Sequence, residues 1–230
     1  MISDHHPMGA STGVLGRGSD WERHVERACA VSGHAVELAA HDVGELAGLV
    51  AFLAARPRLP FRCVSVHAPV KGELGSDARR VEDLLELPAT IRTIIAHPDL
   101  IGDPAPWRAL GRRLVLENMD ARKASGRTVA ELAPVFARLP EAGFCLDVAH
   151  AHTVDPSMAG ATALLDAFRG RLREVHLSSI RSGSHVELTT EDERAFAPAL
   201  ARCRDVPWIL EAPAPARWAA TSPRRLSLAA

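Results

Sequence analysis

The sequence of 230 residues has no tyrosine, and its four cysteines, Cys29, Cys63, Cys145 and Cys203, include no CxxC pair. Scattered cysteines without that spacing exclude a dense disulfide scaffold. The first residues also lack the basic segment followed by an apolar one that marks a secretory signal. We therefore expect a reduced chain in the cytoplasm.

Long apolar runs and an excess of charge of either sign are missing as well. No run approaches the roughly 20 residues that a membrane-spanning helix needs, and 27 Lys and Arg against 28 Asp and Glu leave a net charge of −1. We therefore expect neither a membrane nor a nucleic acid as partner. Histidine, in contrast, is abundant: there are 11, more than the six Phe and four Trp together.

Short apolar runs alternate with longer amphipathic patterns along the chain, which is typical of repeated βα units. An eighth run, over Ala10–Leu15, is weaker than the other seven. The clear runs are Ala35–Leu38, Cys63–Val66, Thr93–Ala96, Leu114–Leu116, Phe144–Leu146, Glu174–Val175 and Trp208–Leu210. Eight units predict a single-domain α/β chain over 1–230, a (β/α)8 TIM barrel at 8–211 with a Pro/Ala/Arg-rich tail at 212–230.

A doubly wound open sheet is the competing architecture. It normally carries a Gly-rich phosphate turn after its first strand, and the glycines at 13–18 have the wrong spacing for one. Three helix starts are marked by capping boxes. They are Ser19 with Glu22, Thr128 with Glu131, and Thr190 with Glu193.

Six consecutive strand candidates end at residue types that bind metals. These residues are His67, His97, Glu117, Asp147, His176 and Glu211. Parallel barrel strands all end on one rim, so these side chains would converge in the barrel mouth. Imidazole and carboxylate ligands suit Zn, Mn, Fe or Co, and three acids would be costly to bury without a cation. The pattern predicts a divalent metal site, to which His150 and His185 would add ligands from loops.

For other polar residues, the sequence predicts an orientation or leaves the role open. Alternation predicts that Ser65 points inward with His67, and Cys145 with Asp147. Glu37, in the second strand, either points into the barrel or pairs with an arginine. Four residues near the rim are left open between supporting a ligand, capping a loop and neither: Asp99, Asn118, Asp120 and His152. Five histidines without strand-end context are interpreted as surface or cap residues: His5, His6, His24, His34 and His41.

Five short motifs stand at the strand ends. They are Val66-His67-Ala68-Pro69, Ala96-His97-Pro98, Leu116-Glu117-Asn118, Leu146-Asp147-Val148-Ala149-His150-Ala151-His152 and Val175-His176-Leu177-Ser178. Together they resemble the xylose isomerase-like TIM-barrel superfamily, which contains sugar isomerases, epimerases and the endonuclease IV family. The resemblance spans about positions 8–211, and its most specific part is the Asp-x-x-His motif.

The resemblance implies a set of metal ligands. A four-ligand site would consist of Glu117, Asp147, His176 and Glu211. His67 and His97 would form a second site with Glu117, and His150 and His185 would be two of three ligands of a third. The nuclease pattern has an acid where this chain has Gly183. We therefore expect one or two ions, with three as the upper limit.

The resemblance also implies two candidate reactions. An isomerase or epimerase of a small sugar-like compound would use the metal to stabilise an enediolate, Glu117 and Glu211 to move the proton, and Arg181 to contact substrate. A phosphoester hydrolase of the endonuclease IV type would use metal-activated water. Near-zero charge and short βα loops favour the first, with a small-molecule substrate. The intact acid set argues against a scaffold without chemistry, and the oligomeric state stays open.

Overall fold

The computed structural model describes residues 6, 8–55 and 58–215. Eight parallel strands close into a barrel with helices outside it, which confirms the predicted TIM barrel. His5 and the predicted tail from residue 216 onward lie outside the described residues. Within the described ranges, no helix combines the length and the apolar character that a bilayer crossing would require.

The barrel strands run around the ring in chain order, and the last of them returns to the first. Their bounds are β1 Met8–Ser11, β2 Ala35–Ala39, β3 Cys63–His67, β4 Thr93–Ala96, β5 Leu114–Glu117, β6 Gly143–Asp147, β7 Leu172–Leu177 and β10 Trp208–Leu210. Between β7 and β10 the chain forms an antiparallel hairpin of β8 Ser179–Arg181 and β9 Ser184–Val186.

Helices connect the strands and cover the outside of the barrel. The α-helices are α1 Trp21–Val31, α2 Val43–Ala55, α3 Asp77–Leu85, α4 Pro104–Trp107, α5 Val129–Arg138, α6 Val148–Val154, α7 Ala159–Phe168 and α8 Thr190–Ala201. Short 3-10 segments cover Thr12–Val14, Pro98–Leu100, Arg108–Arg113 and Arg169–Arg171.

The first strand ends earlier than the sequence pattern predicts. β1 stops at Ser11, whose hydroxyl accepts a hydrogen bond from the Gly13 amide at 3.3 Å. That bond starts a 3-10 turn, because a serine side chain at this position offers the backbone an alternative to the strand ladder. The apolar residues after Ser11 therefore belong to the turn.

Two of the three predicted capping boxes are displaced by one residue. α1 is capped by Asp20, not by Ser19, since the Asp20 side chain accepts a hydrogen bond from the Arg23 amide in the first turn. α8 has a complete box, but it consists of Thr189 with Asp192. Thr128 caps α5 as predicted.

Apolar packing occurs both outside and inside the ring of strands. Outside it, Phe144 and Phe168 pack edge to face with ring centroids 5.7 Å apart, and each such buried side chain stabilises the fold by about 1.5–3 kcal/mol. Inside it, Ile95, Val115 and Cys145 form a small separate cluster. This inner cluster closes the barrel below the mouth on the side of β4, β5 and β6.

A bulge in β7 determines which of its side chains enter the barrel. The pairing of β6 with β7 shifts between Phe144 and Cys145, which leaves Arg173 as an extra, exposed residue. The next residue, Glu174, then points inward and accepts a hydrogen bond from Ser65 Oγ at 2.9 Å. A carboxylate from β7, the neighbour of β6, thus lies on the floor of the mouth.

Closure of the barrel requires glycine at position 9. A Cβ atom there would lie 2.3 Å from the carbonyl oxygen of Ala35 in the paired strand. We expect Gly9→Ala to lower the free energy of unfolding by about 3 kcal/mol, because the paired backbones would have to separate. Urea denaturation measures this. Gly33→Ala is the control, since its Cβ meets nothing within 4 Å, and a Gly9→Ala variant equally stable would contradict the prediction.

Candidate metal centre

The six strand-end residues converge in the barrel mouth, as predicted. These six residues form two groups whose ligand atoms all lie within 4.8 Å of one another, and a third such group, Glu37, Glu174 and His176, lies below them. The first consists of His67, His97 and Glu117, and the second of Glu117, Asp147, His176 and Glu211. Glu117 belongs to both groups, so its two oxygens can serve two neighbouring positions.

Glu117 is the centre of the arrangement. Its Oε2 lies 3.3 Å from His67 Nε2 and 3.4 Å from His97 Nε2. Its Oε1 lies 3.4 Å from His176 Nδ1 and 3.1 Å from His150 Nδ1. Its side chain is 1% exposed, so a cation is the expected compensation for the buried charge.

Asp147 is held in place by backbone contacts and by Asn118. The Asn118 side chain donates to the Asp147 carbonyl and accepts from the Asp147 amide, both at 2.9 Å. Asp147 Oδ1 caps α6 by accepting the His150 amide at 2.7 Å. The other oxygen, Oδ2, is left facing the site. Asn118, whose role the sequence leaves open, therefore supports a candidate ligand.

Unpaired buried atoms show that the second group fits a divalent cation. Within the described residues, one buried atom of each member has no hydrogen-bond partner: Glu117 Oε1, Asp147 Oδ2, His176 Nδ1 and Glu211 Oε2. Buried polar atoms are rarely left unpaired in native proteins. Three carboxylate oxygens and one imidazole nitrogen form a donor set that suits Zn, Mn, Fe or Co.

Burial and mutual charge shift the pKa values in the mouth strongly. Burial alone would lower the pKa of His67, but its hydrogen bond to Glu117 and the nearby carboxylates raise it to about 9. The pKa of His150 is raised to about 10 against the effect of burial, mainly by Asp147 and Glu117. The pKa of Glu117 lies well below its usual value because His176 and His150 outweigh burial. In the metal-free molecule, protonated histidines balance the carboxylates.

The two further predicted ligands meet beside these groups, but they do not lie in loops as predicted: His150 is in α6 and His185 is in β9. The rings of His150 and His185 have centroids 5.4 Å apart. His150 Nδ1 donates to the Asn118 carbonyl at 2.9 Å, which turns Nε2 away from Glu117. His185 Nδ1 lies 2.8 Å from Ser178 Oγ. Their role as ligands of a third ion stays a prediction.

Gly183 lies in the turn of the β8–β9 hairpin, next to this histidine pair. Ser182 and Gly183 have φ angles of 50° and 79°, as a two-residue hairpin turn with left-handed backbone requires. Arg122 donates to the Gly183 carbonyl at 2.6 Å, and a Cβ at position 183 would lie 2.4 Å from Arg122 Nη1. At the position where the nuclease pattern has an acid, this chain thus has a glycine in a tight turn, and the Arg122 guanidinium lies against it.

Arg181 is already engaged by a carboxylate. Its Nη2 lies 3.1 Å and 3.2 Å from the two oxygens of Asp192, which ties the hairpin to α8. Asp120 is likewise paired with Arg122, and Asp99 with Lys123. A substrate contact by Arg181 remains a prediction.

The histidines outside the mouth include one that is not a surface residue. His24 is 4% exposed and lies 3.0 Å from the Gly18 carbonyl through Nε2, so it closes the loop before α1. His6 stacks on Trp208 at 3.8 Å between ring centroids, at the start of β10 and away from the mouth. His152 packs edge to face on Phe196 at 5.3 Å.

Two buried carboxylates below the rim complete the site. Glu37, which the sequence leaves open, points into the barrel, and its Oε2 lies 3.1 Å from His176 Nε2. The sequence pattern marks Glu174 only as the start of a strand, yet its Oε1 lies 3.3 Å from the same nitrogen. Strand alternation could have found it, because Glu174 precedes the rim residue His176 by two positions.

No family model and no curated protein sequence matches the chain. Solved structures match it in fold. Endonuclease IV from Thermus thermophilus is 22% identical, with 97% of this chain and 94% of that chain covered and a TM-score of 0.55. D-psicose 3-epimerase, in the presence of D-fructose, is 15% identical, with 91% and 84% covered and a TM-score of 0.55. A xylose isomerase domain protein from Planctomyces limnophilus is 16% identical, with 90% and 92% covered and a TM-score of 0.54.

These similarities confirm the expected likeness to xylose isomerase-like barrels at the level of the fold. They include proteins described as an epimerase and as a nuclease. At these identities the fold is shared, and the choice of reaction has to come from the site itself.

The pH dependence of stability should reveal the charged histidines. Folded-state pKa values of about 9 for His67 and about 10 for His150 lie above the ordinary 6.5, so the stabilisation they give is complete below pH 6.5. We expect the metal-free protein to lose it as the pH rises through 9 to 10. Urea denaturation in EDTA measures this loss. His67→Gln should flatten the alkaline decline, and an unchanged slope would contradict the assignment.

Proposed function

We propose that the protein is a metal-dependent isomerase or epimerase of a small, sugar-like substrate. The observation that carries this proposal is the second group, whose four members each have one buried atom without a hydrogen-bond partner and whose ligand atoms lie within 4.8 Å of one another. Glu117, Asp147, His176 and Glu211 would hold the ion. A bound divalent ion would chelate vicinal oxygens of the substrate and stabilise the charge of an enediolate.

Glu117 and Glu211 would move the proton. Glu117 ends β5 and Glu211 follows β10, so the two carboxylates approach the proposed ion from different parts of the ring. Glu211 has 14% of its side chain exposed, against 1% for Glu117. Glu211 is therefore the carboxylate that a substrate entering the mouth would meet, and Arg181 on the neighbouring hairpin would contact that substrate. A net charge of −1 and the four free cysteines support a small substrate and a cytoplasmic location.

We also propose that residues 1–230 form one domain whose core is the barrel. His150 and His185 are retained as auxiliary ligands, with one or two ions as the working number.

The second candidate is a phosphoester hydrolase, and the first group favours it. His67 and His97 approach the same oxygen of Glu117, which suits an additional ion that shares this carboxylate. Two ions held by a shared carboxylate are a common basis for activating water and clamping a phosphodiester.

Metal stoichiometry tests the shared ligand. We expect the wild-type protein, loaded with Zn²⁺ and desalted, to retain two ions by mass spectrometry, and His97→Ala to retain one. Glu117→Ala should retain neither, because Glu117 belongs to both groups. His24→Gln is the control, a buried histidine outside the mouth. Equal metal content in Glu117→Ala and the wild type would refute the proposed centre.

Isotope exchange tests the reaction. In D₂O, the metal-loaded protein should incorporate deuterium at the carbon next to the carbonyl of a ketose, which mass spectrometry detects. Glu211→Gln should slow this exchange by about 100-fold or more, the usual contribution of a general acid or base. Absence of exchange with any of a panel of ketoses, together with turnover of bis(4-nitrophenyl) phosphate, would reverse the ranking in favour of the hydrolase.

A further inference from the structure

Below the rim lies a buried polar cluster to which neither candidate reaction gives a role. It consists of Glu37, Ser65 and Glu174, called here the floor cluster, and these residues are 0%, 2% and 2% exposed. Neither oxygen of Glu37 has a well-aligned hydrogen bond among the described residues, and Oε2 has His176 Nε2 at 3.1 Å. Carboxylates buried in this way are costly unless a charged or donating group faces them.

The group that faces them is His176. Its Nε2 lies 3.1 Å from Glu37 Oε2 and 3.3 Å from Glu174 Oε1. Its Nδ1 lies on the other side of the ring, 3.3 Å from Glu211 Oε1 and 3.4 Å from Glu117 Oε1. The imidazole therefore stands between the floor cluster and the four-residue metal group, with one nitrogen directed at each.

A neutral imidazole has one N–H and one lone pair, so these two contacts depend on each other. A metal ion at Nδ1 requires the lone pair there and the proton on Nε2. An ion in the floor cluster would require the lone pair on Nε2 and the proton on Nδ1. His176 could then not bind an ion at the rim. Two carboxylates at Nε2 favour the first arrangement, because each can accept the Nε2–H bond.

His67, another rim histidine, is oriented by a weaker acceptor than His176. His67 Nδ1 donates to the Ala68 carbonyl at 2.9 Å, which leaves Nε2 for Glu117. His176 has carboxylates in that position. A carboxylate acceptor makes a stronger, charge-assisted bond than a carbonyl and increases the basicity of the ligating nitrogen.

We propose that Glu37 and Glu174 are positioning residues that keep the proton of His176 on Nε2 and leave Nδ1 free to bind the divalent ion. Glu174 provides a well-aligned acceptor, which Ser65 Oγ also contacts at 2.9 Å. Glu37 adds a carboxylate from β2, which does not neighbour β7 in the ring. The inference rests on the proposed function only in assuming that the four-residue group binds a metal.

Zn²⁺ affinity, measured by competition with a chromophoric chelator, tests the proposal. We expect Glu37→Gln to weaken binding at the four-residue group by about 10–100-fold, the usual effect of losing a carboxylate behind a histidine ligand. Glu174→Gln should weaken it as well, because each glutamine keeps an acceptor oxygen but loses the negative charge that strengthens the Nε2–H bond. Asp77→Asn is the matched control. Asp77 is a partly buried carboxylate that accepts from Trp107 Nε1 at 2.7 Å away from the mouth, so its loss should leave affinity within about two-fold.

The tautomer of His176 provides a second readout that does not require any variant to fold. In the Zn²⁺-loaded wild type, ¹⁵N NMR of the histidine rings should show His176 protonated at Nε2 and metal-bound through Nδ1. Protonation at Nδ1, or unchanged Zn²⁺ affinity in folded Glu37→Gln, would overturn the inference while the proposed function stands. Zn²⁺ bound in the floor cluster and not at the four-residue group, shown by its loss in Glu37→Gln, would also overturn the inference. A wild type that binds no Zn²⁺ would remove the proposed function, and the inference with it.

Discussion

One buried carboxylate, that of Glu117, dictates the arrangement of the barrel mouth. A carboxylate removed from water costs several kcal/mol unless opposite charge surrounds it. Here four imidazoles lie within 3.4 Å of its two oxygens, from His67, His97, His150 and His176. His67, His97 and His176 come from different strand ends and His150 from α6, so the compensation exists only when the barrel is closed. This requirement accounts for four of the 11 histidines.

The layer of side chains below the rim has an apolar part and a polar part. The apolar part consists of Ile95, Val115 and Cys145, from the adjacent strands β4, β5 and β6. The polar part is the floor cluster, from β2, β3 and β7. An entirely apolar filling would pack as well, since barrel interiors are usually branched aliphatic residues. The polar part is retained where a rim histidine presents its second nitrogen to the interior.

Most of the fold could be predicted from the sequence because the signals are local. Apolar runs that end in His, Glu or Asp mark both the strands and the rim, and parallel strands bring those ends together without further information. The start of the barrel could not be read in this way, since Met8–Ser11 is made of residues with weak strand preference. The cap of α1 is Asp20 and not the predicted Ser19. Both residue types can cap a helix, and the path of the preceding loop decides between them.

The site was harder to predict where it depends on pairing between distant strands. Alternation from His176 indicates that Glu174 points inward, but its contact with Ser65 joins β3 to β7 and shows only in the closed barrel. Engagement of Arg181 by Asp192 was also invisible, because it requires the hairpin to fold back on α8. Contacts of this kind join residues that no local periodicity connects.

The corner beside His150 and His185 indicates how the chain departs from a three-ion pattern. Its turn needs left-handed backbone at Gly183, so a side chain there would be strained even if space were available. Space is not available, because the Arg122 guanidinium is held by Asp120 at 2.6 Å and by the Gly183 carbonyl. A guanidinium keeps its charge at any ordinary pH. Positive charge is therefore already present at the turn that leads to His185.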